Sequence, residues 1–250
     1  MLYLSFGMPG NGPNRMNPNK KIARIIGVLF IVATVINIIG TSFIGSVINS
    51  PNWLSLISSN AVDIKIGSLL VFLSALASVS IAICLYPIIK KFNPYLALTA
   101  VIFRTIESVF YIVAAVGSLS LIVLGQEYLK SGSPNNSYFQ TLGNFILTAR
   151  EVSGFIFAVI AFSLGAIAYY FIFYQTKLIP RWLSVWGIVS CLLLLFAVFS
   201  ALYHGPAFAI AGATMILAAS IALQEMVLAV WFIAKGFNPN AIVSGSVKKR

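Results

Sequence analysis

Acidic side chains are almost missing from this chain. Five Asp and Glu stand against 16 Lys and Arg in 250 residues. Charged residues of both signs make up 8%, where a soluble domain carries about 25%. Hydrophobic residues make up 60% and the mean hydropathy is +0.97, which excludes an ordinary soluble globular domain. Other scarcities remove whole classes of chemistry. The two cysteines, Cys84 and Cys191, both fall inside apolar runs. They offer no disulfide framework and no zinc spacing, and read as small buried side chains. The one histidine, His204, sits in a Tyr-His-Gly-Pro turn, and it leaves little for a transition metal or haem. There is no HExxH, G-x-S-x-G, P-loop or G-x-G-x-x-G, and no nucleophile beside a base. No cofactor or metal is expected, and no motif speaks for an enzyme.

What is present is apolar sequence punctuated by basic clusters. A net charge of +11 can signal nucleic acid, but such proteins gather their cations on a solvated face. Here the cations stand in short groups between apolar runs, as in loops that face an anionic leaflet. The expected partner is a lipid bilayer, not nucleic acid. Six segments approach or exceed the roughly 20 apolar residues that a spanning helix needs. They run over 23–47, 64–88, 96–124, 140–174, 183–203 and 207–234. Asn-, Pro- and Gly-rich turns separate them. Short loops make neighbouring helices antiparallel, so the expectation is one all-α, polytopic six-helix bundle. Twelve of the 16 cations fall in the two termini and in the second and fourth loops, which puts both termini in the cytoplasm. Residues 1–15, rich in Gly, Pro and Asn, read as a disordered extension before a start at Met16. Residues 16–236 form the transmembrane domain and 237–250 a basic tail. Trp53, Tyr86, Tyr95, Tyr174, Trp182 and Tyr203 fall near segment ends, where rings anchor at the interface. The fourth segment is too long for one straight crossing and is expected to tilt, project or break near Gly143 or Gly154.

The third segment holds FRTIESVFY, with an acid and a base where lipid is expected. At 100° per residue, Ala97, Ala100, Arg104, Glu107, Ser108, Tyr111, Ala115 and Ser118 share one face. Ile102, Ile106, Val109, Phe110 and Val113 share the opposite one. This is an inside-out amphipathic helix, polar toward its neighbours and apolar toward lipid. Arg104 and Glu107 are three apart and can touch. The sixth segment carries Gln224 and Glu225 within IALQEMVLAVW. Glu107 lies about 16 Å and Glu225 about 15 Å from the cytoplasmic edge at 1.5 Å per residue. We therefore expect the third and sixth segments to pack together, with Arg104 bridging Glu107 and Glu225. In the fourth segment Arg150 points into the bundle near the outer edge and joins the central cluster only if that helix breaks or tilts, while Glu151 diverges from it by 100°. Two arginines against three glutamates leave one negative charge in excess, so Glu107 and Glu225 are candidates to take a proton or bind a cation. The cluster of Arg104, Glu107, Tyr111, Arg150, Glu151, Gln224 and Glu225 admits two readings. One is a site for a small solute, proton or cation in a transporter or channel. The other is structural glue in a sensor or accessory subunit, with homo- and hetero-oligomers both open.

The motifs MNPNKKIARIIGVLF, LYPIIKKFNP, FRTIESVFY, SYFQTLG, AREVSGF, FYQTKLIPRWLSVWGI and IALQEMVLAVWFIAKGFNP span the chain from Met16 to the C-terminus. Together they resemble the bacterial multi-pass membrane family called domain of unknown function 4386. The resemblance implies a bacterial cytoplasmic membrane protein. It carries over no reaction, substrate or catalytic residue.

Overall fold

Asn-Pro pairs start helices in this chain. Asn93 accepts a hydrogen bond from the Leu96 amide at 3.0 Å, and Pro94 takes the first helical position, where a missing N–H costs nothing. Asn238 does the same ahead of Pro239, accepting from the Asn240 amide at 3.1 Å. Phe-Asn-Pro, present at 92–94 and at 237–239, is thus a helix start signal in both places. A computed structural model describes residues 18–132, 137–204 and 212–247. Residues 1–15 and the side chain of His204 lie outside what is described.

The elements are α1 (Pro18–Ile48), α2 (Trp53–Ser59), α3 (Ala61–Ile89), α4 (Pro94–Lys130) and α5 (Ser137–Glu151), then a π-helical segment (Val152–Phe157), α6 (Ala158–Thr176), α7 (Arg181–His204), α8 (Gly212–Ala234) and α9 (Pro239–Val247). No strand occurs among the described residues. Five helices are long and apolar enough to cross a bilayer: α1, α3, α4, the continuous Tyr138–Thr176 and Arg181–Tyr203. The chain is thus a multi-pass membrane protein. The sixth expected segment contributes the shorter apolar stretch Ala218–Ala234, and its residues 207–211 are not described.

The long helices close a ring. α1 packs on α3, α3 on α4, α4 on α6, α6 on α7, α7 on α8, and α8 returns to α1. Close approach is bought with small residues. A Cβ on Gly67 would lie 2.6 Å from the Gly40 carbonyl, so α1 and α3 cross backbone to backbone. A Cβ on Gly27 would lie 2.6 Å from the Ala229 carbonyl and fixes the α1–α8 crossing in the same way. The outward faces are apolar: Ile102, Val109 and Val113 of α4 are 46–52% exposed, as a lipid-facing stripe should be.

Two apolar clusters fill the ends of the ring. One gathers Phe30, Leu85, Tyr169, Phe173, Leu178, Phe232 and Phe237, and the other Ile44, Trp53, Ile57, Ile64 and Leu121. Between them, at mid-height of α1, α3 and α4, lie the polar residues. Trp53 is buried in the second cluster, not anchored at the surface, whereas Tyr95, Trp182 and Tyr203 are exposed. Phe237, at the start of the segment read as a tail, packs its ring 4.9 Å from that of Phe232. The long fourth segment does not break. It widens into a π-turn around Gly154, which shifts the helical register by one residue.

Candidate functional site

Ala97, Ala100, Arg104, Glu107, Ser108 and Ser118 are the buried face of α4, and Tyr111 is half-buried beside them. Small residues around Arg104 let neighbours close on it. Ser108 Oγ donates to the Ala75 carbonyl of α3 at 2.8 Å, and a Cβ on Gly165 of α6 would reach 3.3 Å from the Arg104 amide nitrogen. The guanidinium is 2% exposed as a residue and points to the centre of the ring.

One guanidinium ties four helices together. Nη1 donates to Glu107 Oε2 at 3.1 Å and to Ser78 Oγ of α3 at 3.1 Å. Nη2 donates to Tyr169 Oη of α6 at 2.8 Å and to Glu225 Oε1 of α8 at 3.3 Å. Its face lies 4.5 Å from the centroid of Phe162. Ser78 Oγ in turn donates to Glu107 at 3.2 Å, and Thr34 Oγ1 of α1 donates to Glu225 Oε2 at 3.2 Å. Only an arginine supplies this planar fork of donors; a lysine has one charged nitrogen. Nε is the one buried donor of Arg104 without a partner.

The route of this bridge differs from the sequence expectation. α4 packs on α3 and α6, and α8 packs on α1 and α7; the two helices face each other across the ring. They do not lie face to face along small residues. The arginine is long enough to reach over the gap, and the space that the helices leave unfilled is a cavity of about 240 Å³. Thr34, Ser78, Arg104, Glu107, Tyr111 and Glu225 stand in its wall.

The other named residues separate into two groups. Gln224 takes no part in the cavity. Its Oε1 accepts from Tyr170 Oη at 2.6 Å and its Nε2 donates to the Leu183 carbonyl at 3.0 Å, so it is a strut joining α6, α7 and α8. Arg150 does not reach Arg104's cluster. Its Nε donates to Ser118 Oγ at 2.7 Å. Arg150 and Glu151 both line a second cavity of about 340 Å³, together with Asn37, Thr41 and Tyr111. Neither has an ion-pair partner among the described residues. The two cavities share Asn37, Tyr111, Phe155, Val159 and Ala218 in their walls, and Phe155 belongs to the π-segment. Among the described residues no three His, Cys, Asp or Glu gather closely enough to hold a metal.

Thr34, Ser78, Phe162, Tyr169 and Tyr170 were not among the sequence candidates. A signal for the tyrosines existed. Two adjacent tyrosines well inside an apolar segment need hydrogen-bond partners that lipid cannot give. Ser74 and Ser78 carry a weaker one, as hydroxyls four apart on one face of α3.

A family model described as a domain of unknown function (DUF4386) matches residues 25–236. No curated protein and no solved structure matches the chain.

Proposed function

The chain belongs to the DUF4386 family, which brings no activity with it, and on that premise we propose that it is a small bacterial cytoplasmic-membrane transporter or channel. In this reading residues 16–236 form a six-helix transmembrane unit with both termini in the cytoplasm. Glu107 and Glu225 exchange a proton, cation or small ionic solute with the central cavity, and Arg104 holds them in place. The carrying observation is that both carboxylates border an open volume instead of being packed on all sides. A water needs only about 30 Å³ of liquid volume, so 240 Å³ accommodates several. The second cavity, with Arg150 and Glu151, extends from the shared Asn37–Tyr111 wall toward the outer end and serves as the approach.

A second reading has its own support. Arg104 already has two carboxylates, a serine and a tyrosine at its terminal nitrogens, and such a paired network serves equally to fix helix register in a sensor or accessory subunit.

Water access decides between them. Cys84 and Cys191 are free thiols and are first replaced. A cysteine substituted for Ala222 then reports the cavity, and one for Ala229, buried on the same helix and outside the cavity lining, is the control. The transport reading expects a membrane-impermeant thiol reagent to label Ala222→Cys from one side of the membrane and to spare Ala229→Cys. Protection of Ala222→Cys from both sides in folded protein overturns that reading in favour of the sealed cluster.

A further inference from the structure

The acids of the chain are Asp63, Glu107, Glu127, Glu151 and Glu225. None falls in the turn between α6 and α7, in the turn between α8 and α9, or in the helix ends beside them. Those two turns meet. The Asn238 amide donates to the Leu178 carbonyl at 2.9 Å, and Asn238 Nδ2 donates to the Lys177 carbonyl at 3.3 Å. Between them lies a cleft of about 560 Å³ whose wall holds Lys177, Arg181 and Lys235. Three cations therefore share one cleft, and no ion pair reaches any of them among the described residues.

The floor of the cleft is built, not loose. Leu178, Ile179 and Phe237 are buried beneath it. Lys177 is held at a left-handed φ of 56°, a conformation that is uncommon for a residue with a side chain and is kept here by the Asn238 bond to its carbonyl. Arg181 donates Nε to the Tyr174 carbonyl at 3.3 Å and sets its guanidinium 5.2 Å from the Tyr174 ring centroid, and its terminal nitrogens make no hydrogen bond among the described residues. Trp231 lines the same cleft, and its indole N–H is a buried donor without an acceptor. The site therefore offers several donors and positive charge, with no carboxylate in its wall to balance them.

We propose that this cleft binds the phosphate of an anionic membrane lipid. A phosphate supplies the missing charge and acceptor oxygens to lysine and arginine together. The source follows from position. The cleft lies at the ends of α6, α7 and α8, where the exposed rings of Tyr174 and Trp182 mark the headgroup level. Basic pockets between helices at that level are suited to lipid headgroups. The proposal is independent of transport through the central cavity.

The test is native mass spectrometry of the full chain released from micelles that hold equal amounts of phosphatidylglycerol and phosphatidylcholine. The wild type should retain phosphatidylglycerol preferentially. Each cation near an anionic surface contributes a factor of about five, so the triple variant Lys177→Gln, Arg181→Gln, Lys235→Gln should lose that preference by roughly 10²-fold. All three side chains are exposed, and Lys235→Gln alone, with about a fivefold loss, checks the effect in a minimally altered protein. The pair Lys90→Gln, Lys91→Gln, which lies outside the cleft, should change retention little. Equal retention by wild type and triple variant overturns the proposal. So does an equal fall in the Lys90 and Lys91 pair, which would mean diffuse surface charge, or ready displacement of the lipid by millimolar inorganic phosphate, which would mean a site for a free anion.

Discussion

Replacing Arg104 by methionine keeps the length of the side chain and removes the charge that Glu107 and Glu225 share. Both carboxylates are then left in the ring without a cation, at residue exposures of 3% and 8%. Breaking a buried pair by deleting one partner costs about 3–5 kcal/mol, because the orphaned charge keeps its desolvation penalty. Ser78 and Thr34 still donate to the carboxylates and water can enter the cavity, so we place Arg104→Met near the low end, at about 3 kcal/mol. The informative step is the compensating variant. Arg104→Met with Glu107→Gln and Glu225→Gln removes every charge of the cluster while keeping its shape. Replacing a whole buried ionic group by neutral residues of similar size is often close to neutral, so more than half of the loss should return. The assay is reversible unfolding in mixed micelles, followed by tryptophan fluorescence. A single-variant loss below about 1 kcal/mol, the range of ordinary interhelical hydrogen bonds in bilayers, would refute the reasoning. A triple variant no more stable than Arg104→Met would refute it equally, since the cost would then come from lost packing on Phe162 and not from charge.

Two further outcomes follow from the packing around the site. Tyr170→Phe removes the donor to Gln224 Oε1, and should lower stability by about 1–3 kcal/mol in the same unfolding assay while leaving thiol labelling at Ala222→Cys unchanged; altered labelling would mean that the strut and the cavity are one unit. Phe237→Ala empties a position ringed by Phe173 and Phe232, and should cost about 3–5 kcal/mol, which unfolding of the purified variant would show. A loss within about 0.5 kcal/mol, the scale of surface substitutions, would mean that the Phe237 ring adds nothing to the packing.

Composition and periodicity were enough for several conclusions. Lipid is the solvent for the outer face and every backbone polar group must be satisfied inside the chain, so long apolar runs had to be helices. The spacing of Arg104 and Glu107 put them on one face with Ala97, Ala100 and Ser118, because helical periodicity is a local property. The equal depths of Glu107 and Glu225 were also legible, since rise per residue is nearly constant. The short α2 was not. Seven residues are too few to stand as a helix alone, and its burial of Trp53, Leu54 and Ile57 depends on α4 being beside it.

Which helices touch is a different kind of question, and only the tertiary structure answered it. Polar and small faces on the third and sixth segments were compatible with direct packing, but the ring sets α4 and α8 opposite each other and leaves a cavity between them. Arg150 and Glu151 diverge on a helical wheel, yet both reach the second cavity, beside the π-turn that begins at Val152. The buried tyrosines, the strut at Gln224 and the meeting of two basic turns around Asn238 all join residues far apart in the chain. A one-dimensional pattern specifies which face of a helix avoids lipid. It does not specify which of the other helices that face will meet, because they offer similar small and polar residues. That choice is made by the close crossings at Gly27, Gly40 and Gly67, whose effect appears only when two backbones are within van der Waals reach.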